Sequence, residues 1–315
     1  MMIRTEALTK QFDDFVAVNG IDLSVQAGEV LALLGPNGAG KTTTVRMLAS
    51  ILSPSSGAAW IDGHNTVEEP TKVRSMVGVL TEMPGLYGRM RAQEYLRFFG
   101  ELHGLDRATC DSQSERLMAQ FGMSDAWALR LGEYSKGMRQ KIALIRAMLH
   151  DPRVLLLDEP TSAMDPHSAK IVRDSILSLR RQDRSIIICT HNLAEAEVIA
   201  DRIAIIRRGE IVTRGTVAEL TRELLGTPQI ELRLAGPVDG AASLFGDLVE
   251  IVGQGENWIR YRTDRIDAVN PIVLERLALS GHRVITLSEM PRRLEEVYLR
   301  VVEKTSSMEE VKGTR

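Results

Sequence analysis

Gly35-Pro36-Asn37-Gly38-Ala39-Gly40-Lys41-Thr42 is the stretch from which the rest of the chain is read. It fits the pattern G-x-x-x-x-G-K-[ST], follows the apolar run Val30–Leu34 and opens a helical pattern, the strand-to-helix setting that gives the motif its meaning. Glycines let successive backbone N–H groups turn inward around a phosphate, and the helix behind them adds the positive end of its dipole. Lys41 is then placed to reach β- and γ-phosphates, and the Thr42 hydroxyl to ligate Mg²⁺.

Around this loop, short apolar runs alternate with helical patterns as far as Leu225, which predicts a mainly parallel sheet with crossover helices. The expected strands are Val30–Leu34, Val77–Leu80, Val154–Leu157, Ile186–Cys189 and Ile203–Ile206, apolar enough to be covered on both faces. Between the second and third of them, residues from about Tyr87 to His150 read as helices over Ala92–His103, Asp111–Phe121 and Ser135–Leu149, a helical subdomain inserted into the sheet domain. Gly226, Thr227 and Pro228 break the pattern. From 229 to 303 a smaller α+β domain is expected, with strands at Gln229–Leu234, Trp258–Tyr261 and Arg283–Leu287 and helices over Asp267–Ser280 and Pro291–Glu303. Lys304–Arg315 reads as a polar tail.

Composition sets the outer limits. At 315 residues, 44% hydrophobic and 26% charged, the chain can hold two packed domains. A net charge of −3 supplies no basic field of the kind non-specific nucleic-acid binders use, so nucleic acid is not expected as a partner. The longest apolar runs fall far short of the ~20 residues of a spanning helix, and Met1–Lys10 lacks the pattern of a secretory signal, so a cytoplasmic protein is expected. Cys110 and Cys189 stand far apart without metal-ligand spacing, which suits reduced thiols.

The run Val154–Leu157 ends in Asp158 and Glu159. Strand alternation points these carboxylates differently, so Asp158 is expected to hold the Mg²⁺ shell while Glu159 faces the γ-phosphate and polarises the attacking water. The next expected strand ends at Thr190-His191, and parallel topology puts His191 at the same sheet edge, within reach of the γ-phosphate.

Leu131-Gly132-Glu133-Tyr134-Ser135-Lys136-Gly137-Met138-Arg139-Gln140 opens a helix and resembles the signature segment of ABC-type ATPases. In chain order, Gly35–Thr42, Ser135–Met138, Val154–Glu159, Ser162–Asp165 and His191 resemble that family's Walker A, signature, Walker B, D-loop and H-loop. The likeness runs from about Ile3 to Leu225. It implies a P-loop ATPase fold with the small α+β domain appended, ATP and Mg²⁺ as ligands, and nucleotide contacts from Gly35, Pro36, Asn37, Gly38, Ala39, Gly40, Lys41, Thr42 and Thr43. It further implies that Ser135 and Gly137 meet the γ-phosphate held by a second ATPase domain, an identical copy or a related one. Phe12 stands where the family places an aromatic that stacks on adenine, with Phe15 as the alternative. This chain departs from the pattern in two places. Glu82 replaces the usual Gln, retaining the capacity to meet Mg²⁺ but not to donate a hydrogen bond, and Lys136 adds a charge inside the signature.

Met83–Met90 together with Tyr95, Phe98 and Phe99 forms an apolar, aromatic-rich segment that reads equally as core or as a seat for a helix of a membrane permease. Leu294–Leu299 resembles the C-terminal extension of exporter ATPases of the drug-resistance, sodium-efflux and polysaccharide-export type. The resemblance therefore implies the motor subunit of an exporter, peripheral on the cytoplasmic face of the membrane. The alternative is a non-transport ATPase of the same family acting on ribosomes or DNA.

Overall fold

The computed structural model describes residues 1–301 apart from Pro84, Ala163 and Arg293. The expected tail Lys304–Arg315 and the end of the helix expected over Pro291–Glu303 lie outside the described residues. The chain divides into two units, Met1–Val217 and the part from Ala218 onward.

The first unit starts with β1 (Ile3–Phe12), β2 (Phe15–Ile21) and the short β3 (Ser24–Val25). Then β4 (Val30–Leu34), buried along its whole length, leads through the glycine loop into α1 (Lys41–Leu48). β5 (Ser56–Ile61), β6 (His64–Asn65), α2 (Pro70–Met76) and β7 (Val77–Leu80) follow. The helical excursion consists of α3 (Ala92–Leu102), α4 (Arg107–Gln120) and α5 (Lys136–Met148). The chain returns through β8 (Val154–Asp158), α6 (Pro166–Ser178), β9 (Ser185–Thr190), α7 (Leu193–Ile199), β10 (Arg202–Arg207) and β11 (Glu210–Gly215).

The central sheet runs in the order β11-β10-β4-β9-β8-β7 and is parallel except at the β10–β11 edge. Its strands read as continuous apolar runs because both faces are covered. Leu155, Leu157, Ile186 and Ile188 pack with Tyr95, Phe121, Ile142 and Ile145 of the helical excursion. Their neighbours Val154, Leu156, Ile187 and Cys189 turn the other way, toward Val45 and Leu48 of α1 and Ile3 and Ile61 of a second sheet.

That second sheet, β2-β1-β5-β6 with β3 on β1, is antiparallel and was not among the expected elements. Its signal is blurred by irregular pairing: β1 shifts register between Leu8 and Gln11 against β2, and Ala7 sits at φ 44°, so inward and outward residues do not alternate cleanly. The helix expected from Asp111 starts earlier, at Arg107, because the Asp106 carboxylate accepts from the Thr109 N–H at 3.0 Å and caps it. α3 and α4 are then joined by a two-pronged ion pair, Arg97 to Asp111, at 2.6 and 2.8 Å.

The aromatic segment is partly core and partly surface. Tyr95 is fully buried, whereas Tyr87 is 52% and Phe98 40% exposed. Tyr87 stands edge-on to Tyr95 at 6.2 Å and to Phe98 at 6.1 Å, so a supported aromatic surface continues outward from the core.

The second unit carries α8 (Val217–Leu225) from Ala218 onward, although the sequence break stands at Gly226. Its sheet, β13 (Glu250–Gln254), β14 (Trp258–Arg262), β12 (Gln229–Leu234) and β15 (Val284–Glu289) in that order, is antiparallel throughout. Val269, Val273 and Leu277 of α9 (Ile266–Leu279) cover Ile230, Leu232, Ile259 and Tyr261 of the sheet. Leu294 and Val297 are buried in the helix that follows, while Leu299 is exposed.

One close approach fastens the helical excursion to the sheet. A Cβ on Gly78 of β7 would lie 2.0 Å from the Ala147 carbonyl oxygen of α5 and 2.9 Å from Pro152 Cγ. Gly78→Ala is accordingly expected to cost about 1–3 kcal/mol, as overpacked cores do. Denaturant unfolding of the intact chain would measure it, and an unchanged midpoint would contradict the contact.

Candidate active site

The parallel register gathers the chemistry. Leu34 pairs with Thr190 and Asp158 with Cys189, so the loops after β4, β8 and β9 leave the sheet at one edge. There they bound a cleft of about 350 Å³ lined by Phe15, Ala17, the loop from Asn37 to Thr43, Glu82, Asp158 and Glu159.

The loop's glycines are required by backbone crowding. A Cβ on Gly35 would come within 2.3 Å of the Ile206 carbonyl oxygen, and one on Gly40, at φ 107°, within 2.6 Å of the Ala17 carbonyl oxygen. The loop is thus pressed between β10 and β2, with Gly38 also in the left-handed region at φ 80°. Lys41, 5% exposed, donates to the carbonyls of Gly35 at 2.6 Å and Pro36 at 3.1 Å, and lies 3.7 Å from Glu159 Oε1.

Thr42 Oγ1 donates to Asp158 Oδ2 at 2.6 Å. Asp158 is buried, and its other carboxylate oxygen, Oδ1, has no hydrogen-bond partner. Burial pushes its carboxyl above the usual range; the Thr42 bond and the Lys41 charge oppose this, and Glu159 and Glu82 add to it.

Glu159 carries φ 51°, unusual for a residue with a side chain. Its N–H donates to Cys189 O at 2.9 Å, and its carbonyl accepts from Gln140 Nε2 of α5 at 3.3 Å. Held in this way, the side chain stays 8% exposed and Oε1 meets His191 Nδ1 at 2.9 Å. The His191 side chain is 57% exposed, reaching from the sheet edge toward solvent.

Glu82 is exposed and lines a second groove as well, of about 410 Å³, together with Leu86, Leu131, Lys136, Arg139 and Gln140. Ser135 and Gly137 are absent from the cleft that holds Lys41. Ser135 caps α5 by accepting from the Met138 N–H at 3.2 Å and is exposed, and Gly137 leaves room beside it, its nearest outside neighbour being Ser168 Oγ at 3.9 Å from an added Cβ. Of the aromatic candidates, Phe15 lines the cleft and Phe12 does not. Phe12 pairs across the hairpin with Phe15 but lies on β1, one strand further from the loop, under the Lys10 ammonium at 5.1 Å.

Two polar residues beside the site receive no role from the sequence. Gln140, 7% exposed, closes the signature-like segment and lies in the apolar periodicity of α5. Glu195, 1% exposed, accepts from Thr161 Oγ1 and Thr190 Oγ1, each at 2.7 Å. The neighbouring Asn192, a capping residue just after His191, is the only hint of structure there in the sequence.

Residues 18–162 match the family described as ABC transporter. The chain is 42% identical over 224 residues to the ABC transporter ATP-binding protein NatA of Bacillus subtilis strain 168, covering 70% of this chain and 91% of that protein. It is 34% identical over 299 residues to the daunorubicin resistance ATP-binding protein DrrA3 of Streptomyces coeruleorubidus, covering 95% and 92%. Among solved structures, the dimeric post-hydrolysis state of an ATP-binding cassette bound to ADP and Pi superposes with a TM-score of 0.64 at 20% identity, over 69% of this chain and 99% of that one, a likeness of fold. With its relatives matched over most of their length and the cassette fold in place, this chain belongs to the ABC transporter ATP-binding proteins and is an ATPase.

Proposed function

We propose that the chain powers an exporter by closing on a second ATPase domain with ATP between them, and that hydrolysis reopens the pair. The observation that carries this reading is the chain of contacts Thr42–Asp158, Lys41–Glu159 and Glu159–His191, at 2.6, 3.7 and 2.9 Å, along one cleft. The drug-resistance name of the relative DrrA3, aligned over 95% of this chain, supports the exporter class.

In this reading the loop N–H groups and Lys41 hold the β- and γ-phosphates, with Thr43 beside them. Thr42 and Asp158 fit Mg²⁺, because their oxygens already touch and Asp158 Oδ1 lacks a partner, and Glu82, which lines the same cleft, is the third proposed ligand. Among the described residues no cluster of His, Cys, Asp and Glu forms a metal cage, which suits a cation that shares its ligands with phosphates and water. Mg²⁺ would neutralise the charge developing on the transferred phosphoryl group.

Glu159 is the proposed general base: it takes a proton from the attacking water as that oxygen bonds to the γ-phosphorus and the bond to the ADP oxygen breaks. His191 orients Glu159 and donates to a γ-phosphate oxygen. Ser135, exposed, and Gly137, half-buried, stand at the start of α5 away from the Lys41 cleft and serve the nucleotide of the opposite domain, identical or related. Phe15 is the adenine-stacking ring.

Tyr87 and Phe98 offer the surface for a separate membrane permease. Among the described residues no helix is long and apolar enough to cross a membrane, so the spanning part belongs to that permease and the chain sits against it on the cytoplasmic face. The unit from Ala218 onward is an accessory domain. The family's ribosome- or DNA-acting members are not favoured, since the relatives named above are transport and resistance proteins.

Glu159→Gln is expected to lower phosphate release by about 10²–10⁴-fold while MgATP affinity stays within a few-fold, and to accumulate an ATP-bound dimer by light scattering. Full turnover in that variant would remove Glu159 from the base role, and absence of the dimer even with the permease present would sink the closure itself. Lys41→Ala should weaken MgATP binding about ten- to a hundredfold, read by titration calorimetry. Phe15→Ala should likewise raise the ATP dissociation constant about tenfold and Phe12→Ala leave it unchanged; the reverse order would return adenine to Phe12.

A further inference from the structure

We infer that Glu195 is a positioning residue, whose buried carboxylate bridges Thr161 and Thr190 and thereby fixes Glu159 against His191. The inference rests on the assignment of Glu159 and His191 to hydrolysis made above.

The need for such a bridge follows from where the sheet stops. Between β8 and β9 the paired residues end at Asp158 and Cys189, and one further hydrogen bond, Glu159 N–H to Cys189 O at 2.9 Å, closes the ladder. Beyond it the two chains part, one into Glu159-Pro160-Thr161 and the other into Thr190-His191-Asn192. The side chains that must cooperate, Glu159 and His191, stand on these diverging segments, and ladder bonds no longer set their spacing.

Glu195 supplies the missing rung from outside the sheet. Oε1 accepts from Thr161 Oγ1 and Oε2 from Thr190 Oγ1, both at 2.7 Å. Thr161 lies two residues past Glu159, and Thr190 directly precedes His191. The carboxylate is itself anchored: the Glu195 N–H donates to Asn192 Oδ1 at 3.2 Å, and the Asn192 N–H donates to Thr190 Oγ1 at 3.0 Å. This arrangement is costly to assemble for packing alone. Burial raises the Glu195 carboxyl above its ordinary range, opposed by the two threonine bonds and the Arg173 charge and reinforced by Glu159. A carboxylate kept 1% exposed by two hydroxyl donors repays that cost in direction, since both oxygens are committed and neither threonine can rotate freely. It also helps to retain Glu159 in its left-handed backbone conformation, whose strain persists only where neighbours over-determine it.

The near-isosteric variants Thr161→Val and Thr190→Val test this in the full chain, with steady-state ATP hydrolysis and MgATP titration as readouts. Each is expected to lower kcat by about tenfold or more, as small misplacements of reacting groups do. MgATP affinity should stay within about threefold, and Thr161→Ser and Thr190→Ser, which keep the hydroxyl, should recover kcat to within about threefold of the parent. In a His191→Ala background, Thr190→Val should change kcat by less than about threefold, because the alignment it protects is already lost. An undiminished kcat in the valine variants, an equal loss of affinity, or a fully additive loss in the His191→Ala background would overturn the inference. Should Glu159→Gln and His191→Ala themselves retain full turnover, the reading of the site falls and the bridge with it; if those two are impaired and the valine variants are not, the bridge alone is wrong.

Discussion

Everything at the site hangs on the parallel pairing of β4, β9 and β8. Because Leu34 stands opposite Thr190 and Cys189 opposite Asp158, segments far apart in sequence surrender their loops at one edge. A one-residue slip in either pair would turn the carboxylates to the opposite face. The slip is prevented by burial: every residue of these three strands is buried, with alternate side chains committed to different cores, so the register that packs both faces is also the one that assembles the cleft. Stability and chemistry are specified together.

The site itself combines crowded backbone with spare polar capacity. The loop is pinned by carbonyls that a Cβ would strike, and Glu159 is held in a strained conformation by Cys189 and Gln140. Against that rigidity, Asp158 Oδ1 has no partner and the His191 ring reaches into solvent. The pattern suits a site whose backbone is fixed in advance while Asp158 and His191 keep polar capacity for what binds there.

How much of this was legible in the sequence depended on whether the physics is local. The glycine loop was, since the requirement for Gly35 and Gly40 is a backbone matter written in consecutive residues. So were Asp158, Glu159 and His191, which follow apolar runs too plain to misread. The antiparallel sheet was not, because the irregular pairing of β1 hides its alternation. The sequence ranks Phe12 ahead of Phe15, whereas Phe15 lines the cleft, a difference set by which strand passes over the loop. Gln140 and Glu195 receive no role from the sequence because their decisive partners are distant: Gln140 holds Glu159, 19 residues away, and Glu195 joins Thr190 to Thr161, which lies 34 residues away.

The contact between Gly78 and Ala147 has a mechanical consequence. It lies near the end of α5 opposite Ser135, and the strand backbone there is packed against the helix carbonyl with no side chain to slide on. Translation of α5 along the sheet is therefore obstructed, and nearer Ser135 the helix is held again by the Gln140 bond to Glu159 and by Ile142 and Ile145 in the core. With a rise of about 1.5 Å per residue, the dozen residues between Ala147 and Ser135 span roughly 18 Å. The helix is a stiff rod clamped on a glycine, so the serine at its far end keeps a fixed place relative to the strands that carry the carboxylates.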